Sequence, residues 1–450
     1  MRKLKIISLF LFFSKLCGLA WAELPENAER AEPPAAELEP IRLTVGETIK
    51  RVKEQNLELM IQREGVRRAL EQTYQRRAAL LPQFGLRAEQ TRTQVGRFRG
   101  SSMGSQSLFN SFGTRVEGSL SLFDAERYAD FRIAQLGHAI ERFDYEVAVQ
   151  DLLDQAIFTY FTHLRDLRSV EILEGNLARE EQLLDLAQQQ FDAGVAVKID
   201  VTRAEVRVAA AKRSLMEDRT RADDSLLRLK TLLDLELDRQ LRFERSIVDG
   251  IKSPPALKRY GRMMDLTETR PELLRQERQL DQARLAKRAV TWQRLPRIEL
   301  FADWGYDSAE PLDGDDEEAW LLGVRATMPI WEGGRISAER REAQAAVRQS
   351  FHASKQLRNE IEREFEFALL DMESRYEQID FARDEVRLGV DEVRQARERY
   401  REGLADNREL IDAQQNLADA ELSHLRAIYR YGLSRLAFAR SIGAVEHVLE

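Results

Sequence analysis

The 450-residue sequence has one cysteine, 11 prolines, 23 glycines and five histidines. Beyond its N-terminal leader, no stretch approaches the roughly 18 consecutive apolar residues that a membrane-crossing helix needs. Each scarcity excludes something. The lone thiol, Cys17, leaves no intramolecular disulfide and no cysteine metal centre. Four prolines (Pro25, Pro33, Pro34 and Pro40) crowd near the N-terminus and leave seven for the rest of the chain. That is too few for short elements joined by frequent turns, so long uninterrupted helices are expected. His138, His163, His352, His424 and His447 lack ligand spacing, so neither metal nor cofactor is expected. No Ser/His/Asp or paired-carboxylate constellation stands out, and no catalytic residue is assigned; the expectation is not an enzyme. Acids outnumber bases, 77 to 69, which argues against a nucleic-acid partner, and 43% hydrophobic residues argue against general disorder.

What is present begins with an export signal. Arg2, Lys3 and Lys5 precede the apolar run Ile6 to Phe13, which leads to the small-x-small pattern Ala20-Trp21-Ala22. Residues 1–22 therefore read as a cleavable secretory signal peptide. Its removal takes away Cys17 and shifts the net charge from -8 to -12. Ser14-Lys15-Leu16 before the cysteine does not fit a lipid-anchoring site. Residues 23–42, rich in Glu, Pro and Ala with no apolar period, read as a disordered tether.

The rest divides into similar halves, 43–250 and 251–443, parted at Pro254-Pro255, with a tail at 444–450. Leu81-Pro82-Gln83-Phe84 returns as Leu295-Pro296-Arg297-Ile298 after 214 residues. Leu122-Phe123-Asp124 returns as Ile330-Trp331-Glu332 after 208, and Phe191 to Ala196 as Tyr400 to Ala405 after 209. Each half reads helix, strand, loop, strand, very long helix, tip, helix. The first helix is expected from near Gly46 to about Leu80. Apolar residues at steps of three and four then mark one helix over Glu126–Asp192, roughly 100 Å long at 1.5 Å per residue. Tips are expected at 193–197 and 402–406, with return helices behind them, the first over Ile199–Leu235.

Strands are expected at about 84–95, 112–122, 298–307 and 319–330. Ile298, Leu300, Ala302, Trp304 and Tyr306 alternate with Glu299, Phe301, Asp303 and Gly305, and the other three repeat the alternation. One apolar and one polar face over about ten residues suit the lipid and lumen sides of an outer-membrane barrel. The same period also fits a soluble antiparallel sheet with one buried face. Trp292, Trp304, Trp320 and Trp331 are candidates for interfacial aromatic girdles. Four strands cannot close a barrel, for which about eight is the practical minimum, so membrane spanning implies that several chains pool their strands. The acidic run Asp313 to Glu318 lacks a full calcium-loop pattern and reads as a solvated loop, and Trp331-Glu332-Gly333-Gly334 has no phosphate-loop context.

The signal peptide, the duplicated halves, the Leu-Pro before each strand pair and the Gly-Val-Ala and Gly-Leu-Ala tips together resemble the TolC-like outer-membrane efflux proteins, from Leu43 to Gly443. The resemblance implies a mostly α fold with membrane β: a homotrimer with a twelve-stranded β-barrel, four strands per chain, continued by a periplasmic α-helical coiled-coil tunnel. It further implies a passive exit duct for a tripartite efflux pump or type I secretion system. Its partners would be a periplasmic adaptor, an inner-membrane transporter and outer-membrane lipid. An exported, non-conducting periplasmic coiled-coil scaffold is the alternative. By position relative to the tip glycine, Glu409 and Asp412 match an acidic ring at the periplasmic constriction; without the resemblance they read as solvated surface acids. Asp200 and Tyr400 match a closing hydrogen bond. Ala405 stands where the family's basic closing partner usually lies, and Arg203 and Arg408 are nearby. Gly194, Val195, Ala196, Gly403, Leu404 and Ala405 would meet the adaptor, a role compatible with plain helix-turn capping.

Overall fold

The computed structural model describes residues 40–95, 107–244, 270–309, 317–402, 404 and 407–447. Residues 1–41 separate from the unit Arg42–Glu450, which carries everything below. Of the signal peptide and tether expected over 1–42, residues 1–39 lie outside the described residues, as do the join at Pro254-Pro255 and Asp313 to Asp316.

The unit opens with α1 (Val45–Gln55) and α2 (Leu57–Ala78), followed by β1 (Gln83–Val95) and β2 (Ser107–Phe123). Then come α3 (Ala125–Asp192) and α4 (Lys198–Leu232). The second series is α5 (Pro271–Trp292), β3 (Arg297–Ser308), β4 (Glu317–Thr327), α6 (Arg335–Arg401) and α7 (Asn407–Ser441). With 68 and 67 residues, α3 and α6 each run about 100 Å.

The one helix expected from Gly46 to about Leu80 is two. Asn56 adopts an extended conformation (φ -65°, ψ 124°), and its side chain accepts from the Leu59 N–H and so caps α2. Its amide nitrogen also donates to the Leu232 carbonyl at 2.9 Å, a long-range bond that holds the break open. Pro271 occupies the first turn of α5, where a missing N–H costs nothing. Asp124 starts α3 by accepting from the N–H groups of Glu126 and Arg127.

The helices lie side by side. Near the strands the order is α2, α3, α5, α6; toward the tips it is α4, α3, α7, α6. The largest core cluster joins Leu43, Leu153, Ile157, Tyr160, Leu229 and Leu436 midway along α3. The Tyr160 hydroxyl there donates to the Leu43 carbonyl at 3.2 Å. The chain end is held as well: Val445 is buried, its N–H donates to Gln150 at 3.3 Å, and Glu446 pairs with Lys53 at 2.5 Å.

The four long strands form one antiparallel sheet in the order β1-β2-β3-β4. Register aligns the alternations. Leu86 stands opposite Val116, Val116 opposite Trp304, and Trp304 opposite Trp320; four residues along, Leu120, Leu300 and Val324 form another row. Because side chains alternate with period two, these rows share one face.

Candidate functional site

The sheet's apolar face is uncovered. Phe84 is 81% exposed, Trp320 72%, and Leu322 and Val324 63% each. A contiguous apolar surface of this kind marks an interaction with lipid or another chain. The opposite face is ionic: Arg115 spans Asp303 at 3.0 Å and Asp307 at 2.6 Å, and Arg87 pairs with Glu117 at 3.2 Å. Gly305 and Gly323 are required on this face, since a methyl at the first would strike the Thr114 carbonyl and at the second the Phe301 ring. The tryptophans occupy two levels. Trp304 and Trp320 face each other near the far strand ends, where the Trp304 indole N–H donates to Glu318 at 2.9 Å. Trp292 closes α5 and the 85%-exposed Trp331 follows β4, both at the helical end.

At the other pole the hairpins turn. The first turn closes around Gly194 (φ 74°), with Val195 and Ala196 N–H groups both donating to the Gln190 carbonyl. Glycine adopts this left-handed conformation without the steric cost other residues meet. Val195 and Leu404 are exposed, and Ala196 is half-buried. Gly403 and Ala405 lie outside the described residues.

Glu409 and Asp412 lie one turn apart on α7, and each meets a guanidinium from another element or turn. Arg399 approaches Glu409 at 3.4 Å, while Arg207 of α4 and Arg408 approach Asp412 at 3.9 and 3.8 Å. Tyr400 is buried in an apolar cluster with Leu183, Val393, Leu410, Ile411 and Leu417. Its hydroxyl has no hydrogen-bond partner among the described residues, so the expected bond to Asp200 is not formed in this structure. Asp200 instead receives Arg203 at 3.4 Å and the Val197 N–H at 3.5 Å. The two side chains are nevertheless close: burial, and then the Asp200 charge, push the Tyr400 phenol above its ordinary range. The hairpins are joined here by Asn407, whose amide donates to the Asp200 backbone carbonyl at 3.1 Å.

Sequence reasoning had noted Arg203 and Arg408 but missed Arg207, Arg399 and Asn407. Of these, Asn407 and Arg399, two and ten residues from Glu409, sit close enough in sequence to be found, whereas Arg207 lies 202 positions away. Among the described residues no three or more His, Cys, Asp or Glu side chains are grouped so as to hold a metal together. His163 is a core residue: its ring contacts the Ala222 carbonyl at 3.1 Å and Ser225 at 3.0 Å, and burial lowers its pKa.

These features define a class by architecture, a four-stranded sheet with one open apolar face carried on helical hairpins about 100 Å long. The sequence model of the family described as "Outer membrane efflux protein" matches residues 48–234 and 264–444, and the chain belongs to that family. Among relatives, "Outer membrane protein TolC" of Salmonella enteritidis is 22% identical over 290 residues, 61% of this chain and 56% of the relative. "Nodulation protein T" of Rhizobium leguminosarum bv. trifolii is 23% identical over 274 residues, 59% and 57%. The chain thus spans little more than half the length of these relatives. The Campylobacter jejuni CmeC outer membrane channel superposes with a TM-score of 0.79 at 18% identity, over 89% of this chain and 86% of that one. VceC of Vibrio cholerae gives 0.77 at 16%, over 89% and 96%. At such identities the likeness establishes the fold.

Proposed function

We propose that the chain is one subunit of a homotrimeric, passive outer-membrane exit duct. The observation that carries this reading is a sheet whose apolar face lies open and whose outer strands, β1 and β4, have no further strand beside them among the described residues. In lipid every unpaired backbone group costs several kcal/mol, so four strands are stable there only when other copies complete the barrel. Three copies give twelve strands, and the hairpins then form a periplasmic tunnel. The paired element lengths (22 and 22, 68 and 67, 35 and 35 residues for the helices) and the two matches to one family model support an internal duplication. A soluble scaffold would have to cover Phe84, Leu86, Trp320 and Leu322, and no described part of the chain does so.

In this reading residues 1–22 direct export. The duct serves a tripartite efflux pump or type I secretion system whose inner-membrane transporter supplies the energy. A periplasmic adaptor docks at the Gly194–Ala196 and Gly403–Ala405 tips and opens a constriction ringed by Glu409 and Asp412. No catalysis is involved. Conductance across planar lipid bilayers tests the reading. The wild type is expected to conduct in small steps, and Arg207→Ala with Arg399→Ala, which removes the guanidiniums that α4 and α6 bring to the two acids, in larger ones. Absence of conductance from both proteins would sink the duct.

A further inference from the structure

Some 20 Å from the tip, where α3 lies between α4 and α7, a cavity of about 200 Å³ opens among the helices. Glu180 of α3 lines it, only 3% exposed, with Oε2 lacking any hydrogen-bond partner among the described residues. One turn away Asn176, 8% exposed, has its carbonyl Oδ1 equally unpartnered. Two buried acceptors without donors are costly unless something fills the space, since each forfeits its hydration.

The charges around the cavity say what fills it. Four carboxylates line it (Glu180, Glu217, Asp218 and Asp419) against two guanidiniums, Arg207 and Arg221. Glu217 pairs with Arg213 at 3.1 Å, and Asp218 with Arg221. Among the described residues Asp419 receives only the Gln415 amide, at 3.0 Å. Arg207, the cation that would neutralise Glu180, is committed to α7, where it donates to Gln415 at 3.3 Å and stands 3.9 Å from Asp412. The missing species is therefore small, positive and able to meet two oxygen acceptors.

We propose that this cavity binds a monovalent cation, an alkali ion or ammonium, held by the Glu180 carboxylate and the Asn176 carbonyl oxygen. A divalent ion is disfavoured, because it would want six or more oxygen ligands and would lie against the Arg207 guanidinium. Occupancy has a consequence for the hairpins. With Glu180 neutralised, Arg207 stays on Gln415 and Asp412 and ties α4 to α7. When the cation leaves, Glu180 draws Arg207 inward and releases α7. The site lies within one chain, so cation binding and conduction can fail separately.

The test uses the full-length purified protein at constant ionic strength. In wild type, potassium chloride raises Tm over choline chloride, and crystals soaked in Rb⁺ show an anomalous peak touching Glu180 and Asn176. Glu180→Gln abolishes both. Asn176→Asp, which adds a carboxylate oxygen, lowers the half-saturating K⁺ concentration. An increment that survives unchanged in Glu180→Gln, or a cavity without the Rb⁺ peak, overturns the proposal. So does a Tm indifferent to cation identity that rises on acidification in wild type alone, because the occupant is then a proton.

Discussion

Tyr400→Phe separates two accounts of the tip by sign. The phenol oxygen is buried at a residue 7% exposed and has no partner, while the ring packs against Leu183, Leu410 and Leu417. A buried hydroxyl without a hydrogen bond costs roughly 1–3 kcal/mol, and phenylalanine removes that cost while leaving the ring contacts in place. The substitution is therefore expected to be neutral or to stabilise the tip by about 1 kcal/mol. Were the hydroxyl bonded to the Asp200 carboxylate, its loss would instead destabilise the tip by about 1.5–3 kcal/mol. Global unfolding is a blunt measure, since 1 kcal/mol moves the Tm of a chain this size by only about 1 °C. Local hydrogen exchange is sharper. Amides of the first turns of α7, Asn407 to Ala413, should exchange at the wild-type rate or up to about fivefold more slowly in the variant. Exchange accelerated tenfold or more over those residues would refute the reasoning, because it would show that the hydroxyl holds the hairpins together.

Two further outcomes follow. If Glu409 and Asp412 ring the constriction, Glu409→Gln with Asp412→Asn should lower cation selectivity, read as a reversal potential moved toward zero under a salt gradient; an unchanged potential removes both acids from the ion path. The second concerns Glu272, which is buried beside Arg270 at 3.0 Å and Arg440 at 2.7 Å. Burial alone would raise its pKa, but the Arg270 hydrogen bond and the Arg440 charge bring it down to about 2 from an ordinary 4.5. A lowered folded pKa means stability fully present above the unfolded value and lost as pH falls through the folded one, here about 3 kcal/mol between pH 4.5 and 2. Denaturation midpoints at pH 6 and pH 3 should diverge in wild type and much less in Glu272→Gln; equal divergence would assign the acid sensitivity elsewhere.

How much of this was legible in the sequence depended on whether the cause was local. Strand alternation is a local period, so the face carrying Leu86, Val116, Trp304 and Trp320 could be read before the register brought those residues together. The scarcity of proline and glycine foretold helices of nearly 70 residues for the same reason. Asn56 was not legible as a break, because its bond to the Leu232 carbonyl joins residues 176 positions apart. Arg207 looks like any exposed arginine of α4 until α7 brings Asp412 and Gln415 to it. Nor does anything in the string distinguish Glu180, buried without a partner, from Glu181 beside it, which pairs with Lys212 at the surface. Asp200 and Tyr400 were matched by family resemblance, which supplied the residue types but not the competition from Arg203, three positions on, that takes the carboxylate.

The strengths of the contacts along α7 are unequal, and the inequality bears on how a duct of this kind would open. At its C-terminal end Arg440 binds both Glu272 and Asp151, and buried Arg270 reaches the Ser441 carbonyl at 3.3 Å as well as Glu272 and Glu364. Breaking a buried ion pair by removing one partner typically costs 3–5 kcal/mol, so this end is fixed. At the tip end the ionic ties to other helices are the solvent-exposed pairs of Glu409 with Arg399 at 3.4 Å and of Asp412 with Arg207 at 3.9 Å. Such pairs are worth about 0–1 kcal/mol each. The Asn407 bond to the Asp200 carbonyl and the apolar cluster around Tyr400 add to them, but that cluster is far smaller than the core around Tyr160. In the proposed duct a force shared along the helix would therefore yield first at the tip, with α7 swinging about its anchored end near Ser441. A partner that binds the released tip tenfold more tightly than the closed one supplies about 1.4 kcal/mol, the scale of one or two of these surface ties and well below the cost of the anchor.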